Sequence, residues 1–332
     1  MPCSSSRLLA ALLAMALMAM VLPVWAQTFG YSVNVSGPDE EPQPLNHLWR
    51  INLETGEGQR IGALRNDFVD LEALALSAVG VLFGADDSEN TLLRISRNSG
   101  FAQPLPVDSG FQTGNMGLSG MFDFGMSFDC SGQLFVVSPT KETLYTANLE
   151  TGRLTEVGPA GTLGAPITDL AIRGDRAYGI GVGSNSDGTV RSPNLYRLNL
   201  VEPSAELIGP LVGPDGDAVG QYNNAGLSFA ANGTLWAMTD RNAVIGQEKG
   251  QASQVLRINP RTGEAEIVAE TSIGSEALVG LKSLAVDAPS GCNTSAPDGN
   301  PYSVPVMSRP GVLVLCFLVL ALAWLRLRFQ NS

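Results

Sequence analysis

Apolar and polar positions alternate along most of the chain in one recurring unit. Its clearest strand is His47-Leu48-Trp49-Arg50-Ile51-Asn52-Leu53. This returns as Thr91-Leu92-Leu93-Arg94-Ile95-Ser96, Thr143-Leu144-Tyr145-Thr146-Ala147-Asn148-Leu149, Asn194-Leu195-Tyr196-Arg197-Leu198-Asn199-Leu200 and Gln254-Val255-Leu256-Arg257-Ile258-Asn259. A period of two sends successive side chains to opposite faces of a sheet, so each copy reads as a strand. Turns such as Glu54-Thr55-Gly56, Glu150-Thr151-Gly152 and Arg261-Thr262-Gly263 follow, where glycine accepts a positive φ without steric cost. A closing strand comes next, as in Leu154-Thr155-Glu156-Val157-Gly158. Ahead of each copy stand two more strands, for example Met126-Ser127-Phe128 then Gln133-Leu134-Phe135-Val136-Val137, and Leu227-Ser228-Phe229 then Thr234-Leu235-Trp236-Ala237.

The copies begin at residues 47, 91, 143, 194 and 254. Spacings of this order match the roughly 40–50 residues of a propeller blade and exceed those of leucine-rich or helical repeats. The two ends complete each other. Phe29-Gly30-Tyr31-Ser32-Val33-Asn34-Val35 is a second-type strand with no first strand before it, and Leu284-Ala285-Val286-Asp287 is a first strand with no partners after it. Joining them makes a fifth blade and removes exposed sheet edges. The pattern therefore predicts an all-β protein, a β-propeller of five four-stranded blades closed by pairing the C-terminal strand with the N-terminal blade.

Outside this body lie two apolar segments. Arg7, an apolar run, and Val24-Trp25-Ala26 before Gln27 form a secretory signal peptide over 1–26. The propeller occupies 27–292, a linker 293–303, and a tail 304–332 whose apolar run spans 312–325. Fourteen residues rise about 21 Å as a helix, short of a roughly 30 Å hydrocarbon core, which suits a processing signal better than a plain anchor. Arg326 and Arg328 beyond the run keep that end cytoplasmic and the body outside.

The tail sequence Val304-Pro305-Val306-Met307-Ser308, then Gly311, an apolar run and arginines, resembles the IPTL-type C-terminal protein-sorting signal of Gram-negative bacteria. Pro305, Ser308 and Gly311 match that pattern, while Val306, Met307 and Arg309-Pro310 depart from it. The resemblance implies an exported protein, membrane-anchored at least transiently and then periplasmic or on the cell surface, with the sorting machinery and the membrane as partners of its tail. The repeat itself is similar to that of extracytoplasmic propellers carrying Leu-Tyr-x-Ile-Asn, a Thr-Gly turn and a closing Ile-Gly or Val-Gly. Those residues are structural and imply no activity.

Charge narrows the function classes. Of 20 basic and 32 acidic residues, one basic residue falls in 1–26 and three fall from Val304 on, so the body keeps 16 basic against 32 acidic. With no basic block, nucleic acid is excluded as a partner. A single histidine and four cysteines leave little material for imidazole catalysis or a zinc site. Cys130 and Cys292 remain as a pair in an oxidising compartment, either bridged to pin the closing strand or separate.

In a propeller, the loops entering the first strands and those joining second to third strands share a face, and the long insertions fall there: 36–46, 107–120, 183–193, 210–222 and 240–253. Loop length of this kind marks an interaction surface. Near the first-strand entrances stand Asp70, Glu72, Asp123, Asp169, Asn223 and Asn224, whose oxygens converge on one channel mouth. Hard oxygen donors without histidine suit calcium, with Asp123, Asp169 and Asn224 as its ligands; the other reading is that these short polar groups cap strand ends. Two functions follow. One is a binding module presenting the long-loop face to a protein, a glycan or a cation. The alternative is a calcium-dependent, lactonase-like hydrolase with its metal at the central channel. No nucleophile-and-base motif appears, so no catalytic residue is assigned.

Overall fold

The computed structural model describes residues 27–65, 68–107, 113–120, 123–182, 193–216, 219, 222–242 and 250–286. The signal peptide, the linker, Cys292, and the tail with Pro305, Ser308, Gly311, Arg326, Arg328 and the 312–325 run lie outside them. So do residues 183–192 and 243–249 of the long loops. Among the described residues no helix is long and apolar enough to cross a membrane.

Five four-stranded antiparallel sheets form a five-bladed propeller. Blade 1 is built from β22 (Ala285–Val286), β1 (Phe29–Asn34), β2 (His47–Asn52) and β3 (Gly58–Ala63), innermost strand first. Blade 2 holds β4 (Leu71–Leu76), β5 (Leu82–Asp86), β6 (Thr91–Ile95) and β7 (Ala102–Pro104). Blade 3 runs β8 (Gly125–Phe128), β9 (Leu134–Ser138), β10 (Thr143–Ala147) and β11 (Leu154–Val157). Blade 4 runs β12 (Ile167–Arg173), β13 (Arg176–Gly181), β14 (Asn194–Asn199) and β15 (Ser204–Pro210). Blade 5 runs β16 (Asn224–Phe229), β17 (Leu235–Asp240), β18 (Gln254–Ile258) and β19 (Ala265–Glu270). The ring closes as the repeat implies, with Gly30 opposite Val286 and Tyr31 opposite Ala285. A short hairpin of β20 (Ser272–Ile273) and β21 (Glu276–Ala277) interrupts the return from blade 5 to the closing strand.

The apolar faces of the alternating strands meet in five clusters, one between each pair of neighbouring blades. Trp49, Trp236 and Met238 fill the gap between blades 5 and 1, and Tyr145 with Met126 and Phe83 that between blades 2 and 3. The repeating aromatics are therefore interblade packing. Trp49 is fully buried, and its indole N–H donates to Asn34 Oδ1 at 2.8 Å, which removes the cost of burying that polar tip.

At the axis the inner strands approach closely enough to demand small residues. Aligned by register, Ala73, Gly125, Asp169, Gly226 and Ser283 occupy one level of the five inner strands. A side chain on Gly125 would overlap the Thr168 carbonyl and the Asp169 backbone, and one on Gly226 would overlap the backbone of Ser283 and Leu284. Below this level apolar side chains line the cavity, including Leu74, Met126, Leu227 and Leu284.

Candidate functional site: the acidic channel mouth

The site is built from backbone devices at the open ends of the inner strands. In β4 the pairing with β5 slips between Leu71 and Ala73, leaving Glu72 as the extra residue of a bulge. Bulges re-aim a side chain, and this one accompanies Glu72 in its reach across the mouth. Its Oε2 accepts a hydrogen bond from Asn224 Nδ2 of blade 5 at 3.0 Å. Asp70, just ahead, is positioned by Asp86, whose Oδ2 accepts the Asp70 N–H at 3.1 Å while its Oδ1 accepts from Ser88 and the Glu89 N–H.

Opposite them Lys282 enters from blade 1. The segment that carries it, ahead of β22, is fixed from two sides. Gln43 accepts the Val279 N–H at 3.0 Å and donates to the Ala277 carbonyl at 2.8 Å, and the Leu281 N–H reaches Ser253 Oγ at 3.0 Å. Gly280 has φ +75°, and any side chain there would overlap the Ser36 carbonyl, so the turn that delivers Lys282 needs glycine. The Lys282 ammonium donates to Asp70 Oδ1 at 2.9 Å and to Glu72 Oε1.

Two further carboxylates come from equivalent places at the ends of second strands. Asp87 follows β5, and Asp240 ends β17. Their blades, 2 and 5, flank blade 1 and its lysine. Asp240 is satisfied by the Asn242 N–H at 2.8 Å and Ser36 Oγ at 3.2 Å, whereas Asp87 Oδ1 is buried with no hydrogen-bond partner. Asp123 stands at the exposed rim on blade 3. Among the described residues, the mouth thus gathers five carboxyl groups around one ammonium.

Their protonation reflects that imbalance. Burial works against the charge on Lys282, yet Glu72 and Asp70 hold its ammonium well above the usual lysine value. Burial also lifts Asp70 and is the largest single influence on it, but Lys282 and a hydrogen bond with Glu72 together bring the carboxyl below its ordinary value. Glu72 is raised well above its own, by burial first and then by Asp123 and Asp70, against the pull of Lys282. Burial raises Asp87 to about 7, with Asp70 and Asp123 adding to it. Asp123 and Asp240 are raised as well, chiefly by desolvation, and Lys282 opposes both. Like charges at this spacing do not all ionise together.

Of the residues singled out in the sequence, Asp70, Glu72, Asp123 and Asn224 line this mouth. Asn223 turns aside, its Nδ2 donating to the Asn242 carbonyl at 2.6 Å. Asp169 lies one level deeper, 2% exposed, with both oxygens occupied. Its Oδ1 accepts the Met126 and Leu170 N–H groups at 2.8 Å each, and its Oδ2 accepts the Leu227 N–H at 2.6 Å. It ties the inner strands of blades 3, 4 and 5 together, packed against Gly125 where a side chain would displace it. Burial raises its carboxyl well above the usual value, against three backbone donors that favour the anion. Lys282, Asp87 and Asp240 did not stand out in the sequence. The signal that could have found Asp87 and Asp240 is their shared register after the second strand.

Cys130, at the turn after β8, is disulfide-bonded. His47 opens β2, its Nδ1 2.8 Å from the Leu45 carbonyl.

No protein-family model matches the chain, and no curated protein matches its sequence. Among solved structures it is similar to a virginiamycin B lyase from Staphylococcus aureus, at 14% identity and TM-score 0.35, covering 72% of this chain and 73% of that one. A nidogen/laminin complex matches at 13% identity and TM-score 0.42, over 80% of this chain and all of that one. A gluconolactonase from Xanthomonas campestris matches at 12% identity and TM-score 0.39, over 70% and 73%. Likenesses this loose transfer no residue role, and the propeller stands on the chain's own five sheets.

Proposed function

We propose that the protein is an exported binding module that works through its long-loop face, with the acidic channel mouth as the element that selects positively charged groups. The observation that carries this reading is the excess, among the described residues, of five carboxyl groups over the Lys282 ammonium at one end of the channel. A cleft lined by one sign of charge, with low-dielectric walls, concentrates counter-charged ligands and speeds their arrival. The disulfide at Cys130 supports an oxidising compartment, in keeping with a signal peptide cleaved before Gln27 and a sorting tail from Val304.

The test is direct. A lysine-rich peptide and a glutamate-rich peptide of equal length are titrated into the labelled protein by fluorescence anisotropy. The basic peptide should bind, weaken with added salt, and weaken further in Asp70→Asn/Asp123→Asn. Equal behaviour of the two peptides would refute charge selection. Amino-terminal sequencing of the protein from the cell envelope should begin at Gln27.

A further inference from the structure

We propose that the channel mouth is a divalent-cation site whose ligands are carboxylate oxygens of Asp70, Glu72 and Asp87, with Lys282 as an internal competitor for the same oxygens. This rests on the reading of the mouth as a cation site and names the cation as a hard divalent ion, calcium by preference.

The geometry supplies the ligand set. One oxygen from each of Asp70, Glu72 and Asp87 lies within 4.8 Å of the other two. Such a spacing lets a single ion touch all three, since two oxygens at opposite sides of a calcium ion, each at about 2.4 Å, are about 4.8 Å apart. The donors are all oxygen, with no histidine or thiolate among them, which favours calcium or magnesium over zinc or copper. Calcium tolerates the irregular geometry of groups drawn from a bulge and a loop, where magnesium demands a near-regular octahedron.

A cluster of acids alone is common on protein surfaces. What sets this one apart is Asp87, only 4% exposed, whose Oδ1 is buried and receives no hydrogen bond. An orphaned buried acceptor is destabilising, and more so when charged. Beside two other carboxylates, the group that satisfies it is a cation. Lys282 does not do so, because its ammonium donates to Asp70 and Glu72.

The same contacts redraw the ligand set expected from the sequence. Both Asp169 oxygens are committed to backbone N–H groups. Asn224 turns its amide oxygen to the Ala225 N–H and its NH2 toward Glu72, so it presents a donor to the mouth. Asp123 remains on the rim, able to add to the field of the site. The ligands come instead from blade 2, on either side of the β4–β5 hairpin's open end.

Lys282 then has a definite part. It covers two of the three ligands in the ion-free protein and withdraws when the ion arrives, so affinity is set by the exchange of one ammonium for one dication. The full-length protein, stripped with chelator and dialysed, is titrated calorimetrically with calcium alone and then with magnesium alone. One saturable calcium site per chain is expected, at least about tenfold weaker in Asp87→Asn and tighter in Lys282→Met, with magnesium weaker than calcium. Because Lys282→Met removes a buried partner and can fail to fold, thermal melts of the wild type and Asp87→Asn give a second readout. Calcium should raise the wild-type midpoint and leave that of Asp87→Asn almost unmoved. No saturable calcium binding up to about 10 mM, beyond the usual range of extracellular calcium modules, overturns the proposal. Binding that survives Asp87→Asn unchanged overturns it too. If calcium fails while the basic peptide still binds, this site falls and the charge-selective face stands; if both fail, both readings fall.

Discussion

Asp169→Asn separates a structural acid from a ligand acid, because the substitution keeps the shape and removes one acceptor. The carboxylate offers two oxygens to three converging donors, at 2.8, 2.8 and 2.6 Å. An amide offers one. In its better orientation the amide oxygen keeps Met126 and Leu170, and its NH2 is turned against the Leu227 N–H. One hydrogen bond to a charged group is lost, about 1.5–3 kcal/mol, and two buried donors face each other without an acceptor, about 1 kcal/mol or more. The return from no longer burying a charge offsets part of this, which leaves a net loss of about 2–4 kcal/mol. Asp169→Ala strands all three donors and should be worse. Urea unfolding followed by tryptophan fluorescence suits the measurement, since Trp49 and Trp236 both sit between blades 5 and 1 and report opening of the ring. With an m-value of about 3 kcal/mol/M, the midpoint should drop by roughly 1 M with the slope unchanged. Equal stability of Asp169→Asn and wild type at neutral pH would refute the reasoning, for it would mean that the native group is a neutral acid which an amide replaces without loss.

Three other outcomes follow from the same geometry. Gly226→Ala sets a methyl group against the Ser283–Leu284 backbone and should lower stability by at least about 1–3 kcal/mol or block closure, read as a lowered melting midpoint or loss of soluble protein. The ion-free protein should lose stability as pH rises from about 4 to about 7, because the folded state holds a proton on Asp87 that the unfolded chain releases near the ordinary carboxylate value; Asp87→Asn should flatten that part of the pH profile of urea midpoints. Peptide mapping of the unreduced protein from the cell envelope should recover Cys130 linked to Cys292, and a link from Cys130 to any other cysteine would refute that pairing.

The architecture was legible because it repeats. Five copies of an outer strand pattern set the blade number, and unmatched first and second strands at the two ends announced the closure of β22 on β1. The mouth was legible only where it follows the same logic. Asp70, Glu72, Asp123 and Asn224 stand at inner-strand entrances, so counting along the repeat finds them. Asp169 was placed at such an entrance too, but its pairing with Ile180 matches that of Ala73 with Ala85, one residue further in than Glu72, and there backbone N–H groups take both its oxygens. A one-residue difference in depth does not announce itself in an alternating pattern. Lys282 was hidden for a different reason. It lies in Leu281-Lys282-Ser283-Leu284, where nothing local distinguishes it from a solvent-facing lysine, and its partners are more than 200 residues away in sequence.

Asp169 and Asp87 show how the same residue type serves two ends on neighbouring levels of one channel. Asp169 has every contact a carboxylate needs, from three backbone donors on three blades. Removing it damages the ring, and it has nothing left to offer a ligand. Asp87 is buried too, yet one oxygen is unmet and its neighbours are acids. A ring needing only closure could be served by more residues of the first kind, and Asp86, capped by Ser88, Glu89 and Asp70, shows that blade 2 can satisfy a buried aspartate next door. Local departures from polar satisfaction tend to fall where a protein meets something else. Other buried polar atoms among the described residues of this propeller also lack partners, but Asp87 is the one among them that carries a carboxylate and stands within reach of two more, Asp70 and Glu72.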